Sequence, residues 1–117
     1  MPNYMLLIYG PSEGAPASVD LAAQMPRWDT YAQGLAEAGL LKGGDQLCPV
    51  ETATTVRVRE GETQITDGPF AATKEFLAGY LLLECADLDT ALKHAARAPH
   101  IEYGSVEVRP VVDRDAA

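Results

Sequence analysis

Cysteine, histidine, phenylalanine and tryptophan are scarce in these 117 residues, with two, two, two and one respectively. Cys48 and Cys85 stand too far apart for a CxxC pair and are too few for a disulfide framework. They read as reduced thiols of a cytoplasmic protein. His94 and His100 have no metal-ligand spacing to each other or to the cysteines, and His100 with Glu102 alone makes no site. Neither a metal nor another cofactor is expected. Bases are scarce as well: nine Lys and Arg face seventeen Asp and Glu, giving a net charge of −8 and a pI near 4.5. That balance argues against nucleic acid or an anionic membrane as partner, since both would be repelled at long range. No apolar run nears the roughly 20 residues that cross a bilayer. The first residues are strand-like, without a basic stretch or a cleavage site, so no signal peptide is expected. Gly43-Gly44 lacks the lysine and helix of a phosphate loop and is assigned to backbone geometry. No Ser, Thr or Cys has a convincing base beside it in sequence.

What is present is enough apolar residue for one core. Hydrophobic residues make up 47% of the chain and charged residues 22%, ordinary for a single soluble domain spanning 1–117. Tyr4 to Tyr9 reads as a central strand, followed by a loop from Gly10 to Pro16. A helical segment follows that Pro26 should kink or restart, since proline lacks the donor and crowds the preceding turn. Beyond it Trp28, Tyr31, Ala32, Leu35 and Ala38 recur at helical spacing, and Gly39 supplies the stop. Leu40 to Leu47 is a glycine-interrupted strand with room for a bulge. Thr54–Arg59 and Glu62–Thr66 alternate around Glu60-Gly61 as a tight hairpin. Asp67-Gly68-Pro69-Phe70 then makes a turn, with Phe70 as an apolar anchor and Ala71-Ala72 continuing the connection. Phe76 to Cys85 is the longest strand candidate. Asp87 caps a second helix with the stripe Leu88, Ala91, Leu92, Ala95 and Ala96; Pro99 ends it, and Ser105 to Val112 closes the chain. With the hairpin taken as an insertion, the order is that of an α+β, ferredoxin-like βαββαβ unit.

Two helices cover one face of such a sheet, and the other should turn polar if it meets water. It does not. Met5, Leu7 and Tyr9 alternate with Tyr4, Leu6 and Ile8. Phe76, Ala78, Tyr80 and Leu82 likewise alternate with Leu77, Gly79, Leu81, Leu83 and Cys85. A second copy packed sheet to sheet is the economical cover, so a homodimer is expected.

The tetrad Asp67-Gly68-Pro69-Phe70 resembles the signature of the YCII-related, or DGPF-domain, family. So do Tyr4 to Tyr9, Gly43-Gly44 with Leu47, Ala53 to Val58, Thr73-Lys74-Glu75, Gly79-Tyr80 and Tyr103 to Pro110, in that order and spacing. The resemblance implies a dimeric α/β barrel that binds a small molecule in an accessory or regulatory role. It also implies a functional link to an extracytoplasmic-function sigma factor, and an acidic chain suits a basic protein partner. The alternative is a lyase- or isomerase-type enzyme in which Asp67 and His100 carry protons. Asp67 reads first as a turn residue, His100 as an exposed loop histidine, and His94 as solvated. Lys74, Tyr80, Arg109 and Trp28 are the candidate ligand-binding side chains, arginine because its fork suits a carboxylate. Trp28 reads as core or as the aromatic wall of a pocket. One departure stands out. A YciI-like branch resembles proteins with a proposed His/Asp dyad, and here Trp28 falls at the histidine and Glu37 at the aspartate. Tryptophan carries no proton near neutral pH, so that dyad is absent.

Overall fold

A computed structural model describes residues 1–11, 13–70 and 73–115. The elements run β1 (Asn3–Pro11), α1 (Leu21–Glu37), β2 (Leu41–Gln46), a 3₁₀ turn (Val50–Thr52), β3 (Thr54–Arg59), β4 (Glu62–Asp67), β5 (Glu75–Glu84), α2 (Leu88–Ala95) and β6 (Ser105–Pro110). Four strands form one sheet in the order β2-β5-β1-β6, every neighbour antiparallel, while β3 and β4 pair only with each other. This mixed α+β arrangement, with the hairpin set apart from the sheet, is compatible with a ferredoxin-like fold. Among the described residues no helix is long and apolar enough to cross a membrane.

Local chemistry explains most of the boundaries. Asp87 caps α2 by accepting hydrogen bonds from the Thr90 backbone N–H and hydroxyl, both at 2.8 Å. Those bonds hold the Asp87 carboxyl below its usual pKa. At the end of α1, Gly39 (φ +77°) takes the left-handed position. Its N–H bonds the Ala36 carbonyl at 3.0 Å and the Leu40 N–H bonds the Leu35 carbonyl at 3.0 Å, which closes a Schellman motif. Glu60 (φ +54°) and Gly61 (φ +79°) give the hairpin the two positive φ angles of a type I′ turn. The bulge in β2 falls between Leu41 and Gly43.

Three expectations are corrected. Pro26 neither restarts nor ends α1, which runs unbroken through it. The one lost backbone bond is outweighed by the buried face of Gln24, Tyr31 and Leu35, with Trp28 packed beside it. In β5 a register shift pairs Ile8 with Gly79 but Tyr9 with Leu77, so simple alternation holds only from Gly79 onward. Leu77 therefore shares Tyr9's side, not that of Leu81. Phe70 is no anchor: it is 73% exposed, with the Arg57 guanidinium 4.7 Å above its ring. Its continuation through Ala71-Ala72, and Ser12 of the first loop, lie outside the described residues.

The core lies between the sheet and the helices. Leu6 and Leu83 are 1% and 0% exposed, and Tyr4, Tyr31, Leu35, Cys85, Ala91 and Ala95 complete the cluster. Leu88 and Leu92 of the expected α2 stripe stay exposed. The opposite sheet face carries Met5, Leu7, Tyr80 and Leu82, each half-buried.

Candidate functional site

Beyond α2 the chain winds through tight turns that tuck His100 under the end of the sheet. Ala98 and Ile101 donate backbone bonds to the Ala95 and Ala98 carbonyls, and Gly104 donates to the His100 carbonyl at 2.8 Å. His100 is 4% exposed, which corrects its reading as an exposed loop histidine. Its Nε2 lies 3.0 Å from the Tyr9 carbonyl oxygen and 3.2 Å from that of Ser105. Carbonyls only accept, so Nε2 carries a proton in both contacts. The ring's Nδ1 is buried without a hydrogen-bond partner among the described residues. The imidazole stacks at a tilt on Trp28, centroids 5.2 Å apart, and meets Tyr103 edge-on at 6.1 Å. Gly104 permits this: a Cβ there would strike the His100 ring and stand 2.6 Å from the Tyr9 carbonyl oxygen. His100 thus clamps the ends of β1 and β6 together, and its Nε2 proton is committed to two carbonyls.

The sequence reading missed the polar side chains that extend this cluster. Gln24, 7% exposed, donates through Nε2 to the Tyr103 hydroxyl at 3.4 Å and accepts from Arg27 Nη1 at 3.4 Å. The available signal was its place one helical turn before Trp28, on the stripe that continues to Tyr31. The Tyr31 hydroxyl donates to the His94 carbonyl at 2.5 Å, and burial pushes its pKa up to about 12. His94 is half-buried, not solvated; burial and then the Arg97 charge hold its pKa below the usual value.

The remaining candidates lie elsewhere. Asp67 is the exposed last residue of β4, opposite Thr54, and the turn beyond it is tied back to the start of β3. Gly68 N–H donates to the Ala53 carbonyl at 2.7 Å, and the Thr55 hydroxyl to the Gly68 carbonyl at 2.8 Å. Lys74 is exposed just before β5. Among the described residues no hydrogen bond or ion pair joins Asp67 to His100 or Lys74. Tyr80 and Arg109 share the uncovered sheet face, Tyr80 opposite Leu7 and Arg109 opposite Met5. Arg109 pairs with Glu107 at 3.7 Å. Trp28 sits on the covered side, against the core. Glu37, at the end of α1, is exposed and accepts from Gln33 at 3.1 Å. Among the described residues no three His, Cys, Asp or Glu side chains are grouped to hold a metal.

A one-sided antiparallel sheet with two helices, a detached hairpin and a histidine clamp defines a small α+β domain whose remaining sheet face is apolar along β1 and β5 and charged at Glu107 and Arg109 of β6. The family model of the YCII-related domain matches residues 3–115, and the chain belongs to that family. A protein of Rhizobium meliloti (strain 1021), described only as uncharacterised, is similar at 47% identity over 77 residues. That match covers 64% of this chain and 62% of the relative, so it spans less than two thirds of the relative's length.

Proposed function

We propose that this chain works as a small-molecule-binding dimeric α/β barrel with an accessory or regulatory role. The observation that carries the reading is the apolar, uncovered sheet face built from Met5, Leu7, Tyr80 and Leu82. The protomer exposes 8260 Å², against about 6200 Å² for a folded monomer of its mass. Its radius of gyration of 16.3 Å likewise exceeds the roughly 13 Å of a compact chain this long. Both excesses suit a protein that buries more surface in a partner, and an interface commonly takes about 800 Å² from each side. Two sheets packed face to face would enclose Tyr80 and Arg109 between them. Tyr80 offers a phenol, and Arg109, which shares this face with its ion-pair partner Glu107, a fork that an anionic ligand would have to take from that carboxylate. A regulatory link to an extracytoplasmic-function sigma factor rests on the family resemblance and on the acidic charge. The test is a thermal-shift screen of small carboxylates and phenols on the wild type, with Arg109→Gln, Tyr80→Phe and Asp67→Ala alongside. A ligand that stabilises the wild type and loses its effect in Arg109→Gln or Tyr80→Phe supports the barrel site. A screen without any stabilising compound contradicts a binding role.

A further inference from the structure

The cleft between α1 and α2 has the wrong charge for this chain. Seventeen acidic residues outnumber nine basic ones overall, yet the lining of this cleft includes Arg27, Arg97 and His94 and no carboxylate. Its volume is about 520 Å³, within the range of small-ligand sites. The two arginines are aimed by neutral acceptors. Arg27 Nη1 donates to Gln24 Oε1 at 3.4 Å, and Gln24 is itself buried and tied to Tyr103. Arg97 Nη1 lies 3.4 Å from His94 Nδ1, which accepts from it. No Asp or Glu among the described residues forms an ion pair with either guanidinium. They are oriented without being neutralised, which leaves their charge for something else.

Gly34 is the second, independent sign. It lies inside α1 and lines the cleft. A glycine inside a helix is disfavoured relative to alanine. Here no positive φ requires one, and a Cβ at Gly34 would meet nothing within 4 Å. The protein's own packing therefore gives no reason for the glycine, whereas an occupant of the cleft does. Leu35 and Pro99, both buried, line the cleft beside the charges, as does Thr30.

We propose that the α1–α2 cleft binds a small organic anion, a carboxylate whose apolar body lies over Leu35 and Pro99 and whose head is gripped by Arg27 and Arg97. This site lies in the helix layer, away from the uncovered sheet face, and does not depend on dimer formation. Benzoate is the probe and benzamide its neutral isostere, each titrated at millimolar concentration while the His94 ring resonances are followed by NMR. Benzoate should shift them saturably, and benzamide should bind about tenfold or more weakly, the scale of a lost charge-assisted hydrogen bond. Arg97→Gln should weaken benzoate by a similar factor. Gly34→Leu should abolish binding while Tm stays level or rises, because leucine fills open space and favours the helix. No saturable benzoate shift overturns the proposal. So does equal binding of benzamide, or wild-type affinity in folded Gly34→Leu. A Leu7→Asp variant, which puts a charge on the uncovered sheet face where a second copy would pack, separates this site from the barrel: a signal lost with the dimer would overturn the cleft assignment, and a persisting one supports it.

Discussion

On one side of the four-stranded sheet Tyr4, Leu6 and Leu83 are sealed beneath α1 and α2; on the other, Met5, Leu7 and Leu82 are as apolar and only half-buried. The same two strands feed both faces through an alternation of period two. The hairpin carries the contrast further, because Val56, Val58 and Ile65 lie on one of its faces and stay exposed. Alternation thus says where an apolar face lies, and only the neighbouring elements decide whether it is covered. Within one protomer two helices are enough for one side. The other side and the hairpin are left to whatever meets them in solution.

The sharpest break in that comparison comes from trimming one leucine on each face. Leu83→Ala should cost about 2–5 kcal/mol in urea unfolding, since it opens a cavity among helix-facing side chains. Leu82→Ala, made in a Leu7→Asp background designed to keep a second copy off that face, should cost much less; equal losses would erase the distinction between the faces. A smaller effect is expected at the clamp that closes the covered side. Gly104→Ala forces a methyl group against the His100 ring and the Tyr9 carbonyl, and should lower stability by about 1–3 kcal/mol. An unchanged denaturation midpoint would mean the clamp carries no strain.

Asp87→Ala tests how firmly α2 is seated on that side and should lower Tm by a few degrees at pH 7. The Asp87 pKa is depressed in the folded state by the Thr90 hydrogen bonds. Its contribution is therefore present above the unfolded value of 3.8 and is lost as pH falls through the lower folded value. Melting curves of wild type and variant should converge in acid; a gap that widens there would contradict the capping role. The smallest effect belongs to the hairpin, where neither face is covered. Glu60→Asn relieves a positive φ at a turn position and should add a few tenths of a kcal/mol at most. Circular-dichroism melts should detect no loss, and a drop in Tm would argue against the type I′ turn.

Features set by neighbours in sequence were legible from sequence. Asp87 and Thr90, Gly39 after its helix, and Glu60-Gly61 between alternating strands each act within a few residues. The restart expected at Pro26 does not occur, because its local cost is outweighed by the helix's buried face of Gln24, Tyr31 and Leu35. His100 escapes a sequence reading because its partners Tyr9 and Trp28 lie 91 and 72 positions away. The charged cleft joins Arg27 to Arg97 across seventy residues, and nothing in either helix's own pattern points to the other. Asp67 was conspicuous through its tetrad, but an exposed strand end fixes a turn without assigning chemistry.

Sedimentation equilibrium of the wild type and Leu7→Asp at micromolar concentration tests the central claim, that a second copy covers the open sheet face. The account predicts about 25 kDa for the wild type, twice the 12.5 kDa of one chain. It predicts 12.5 kDa for a Leu7→Asp variant that keeps its far-ultraviolet circular dichroism. A wild type sedimenting at 12.5 kDa, or a Leu7→Asp variant that remains dimeric, would contradict it.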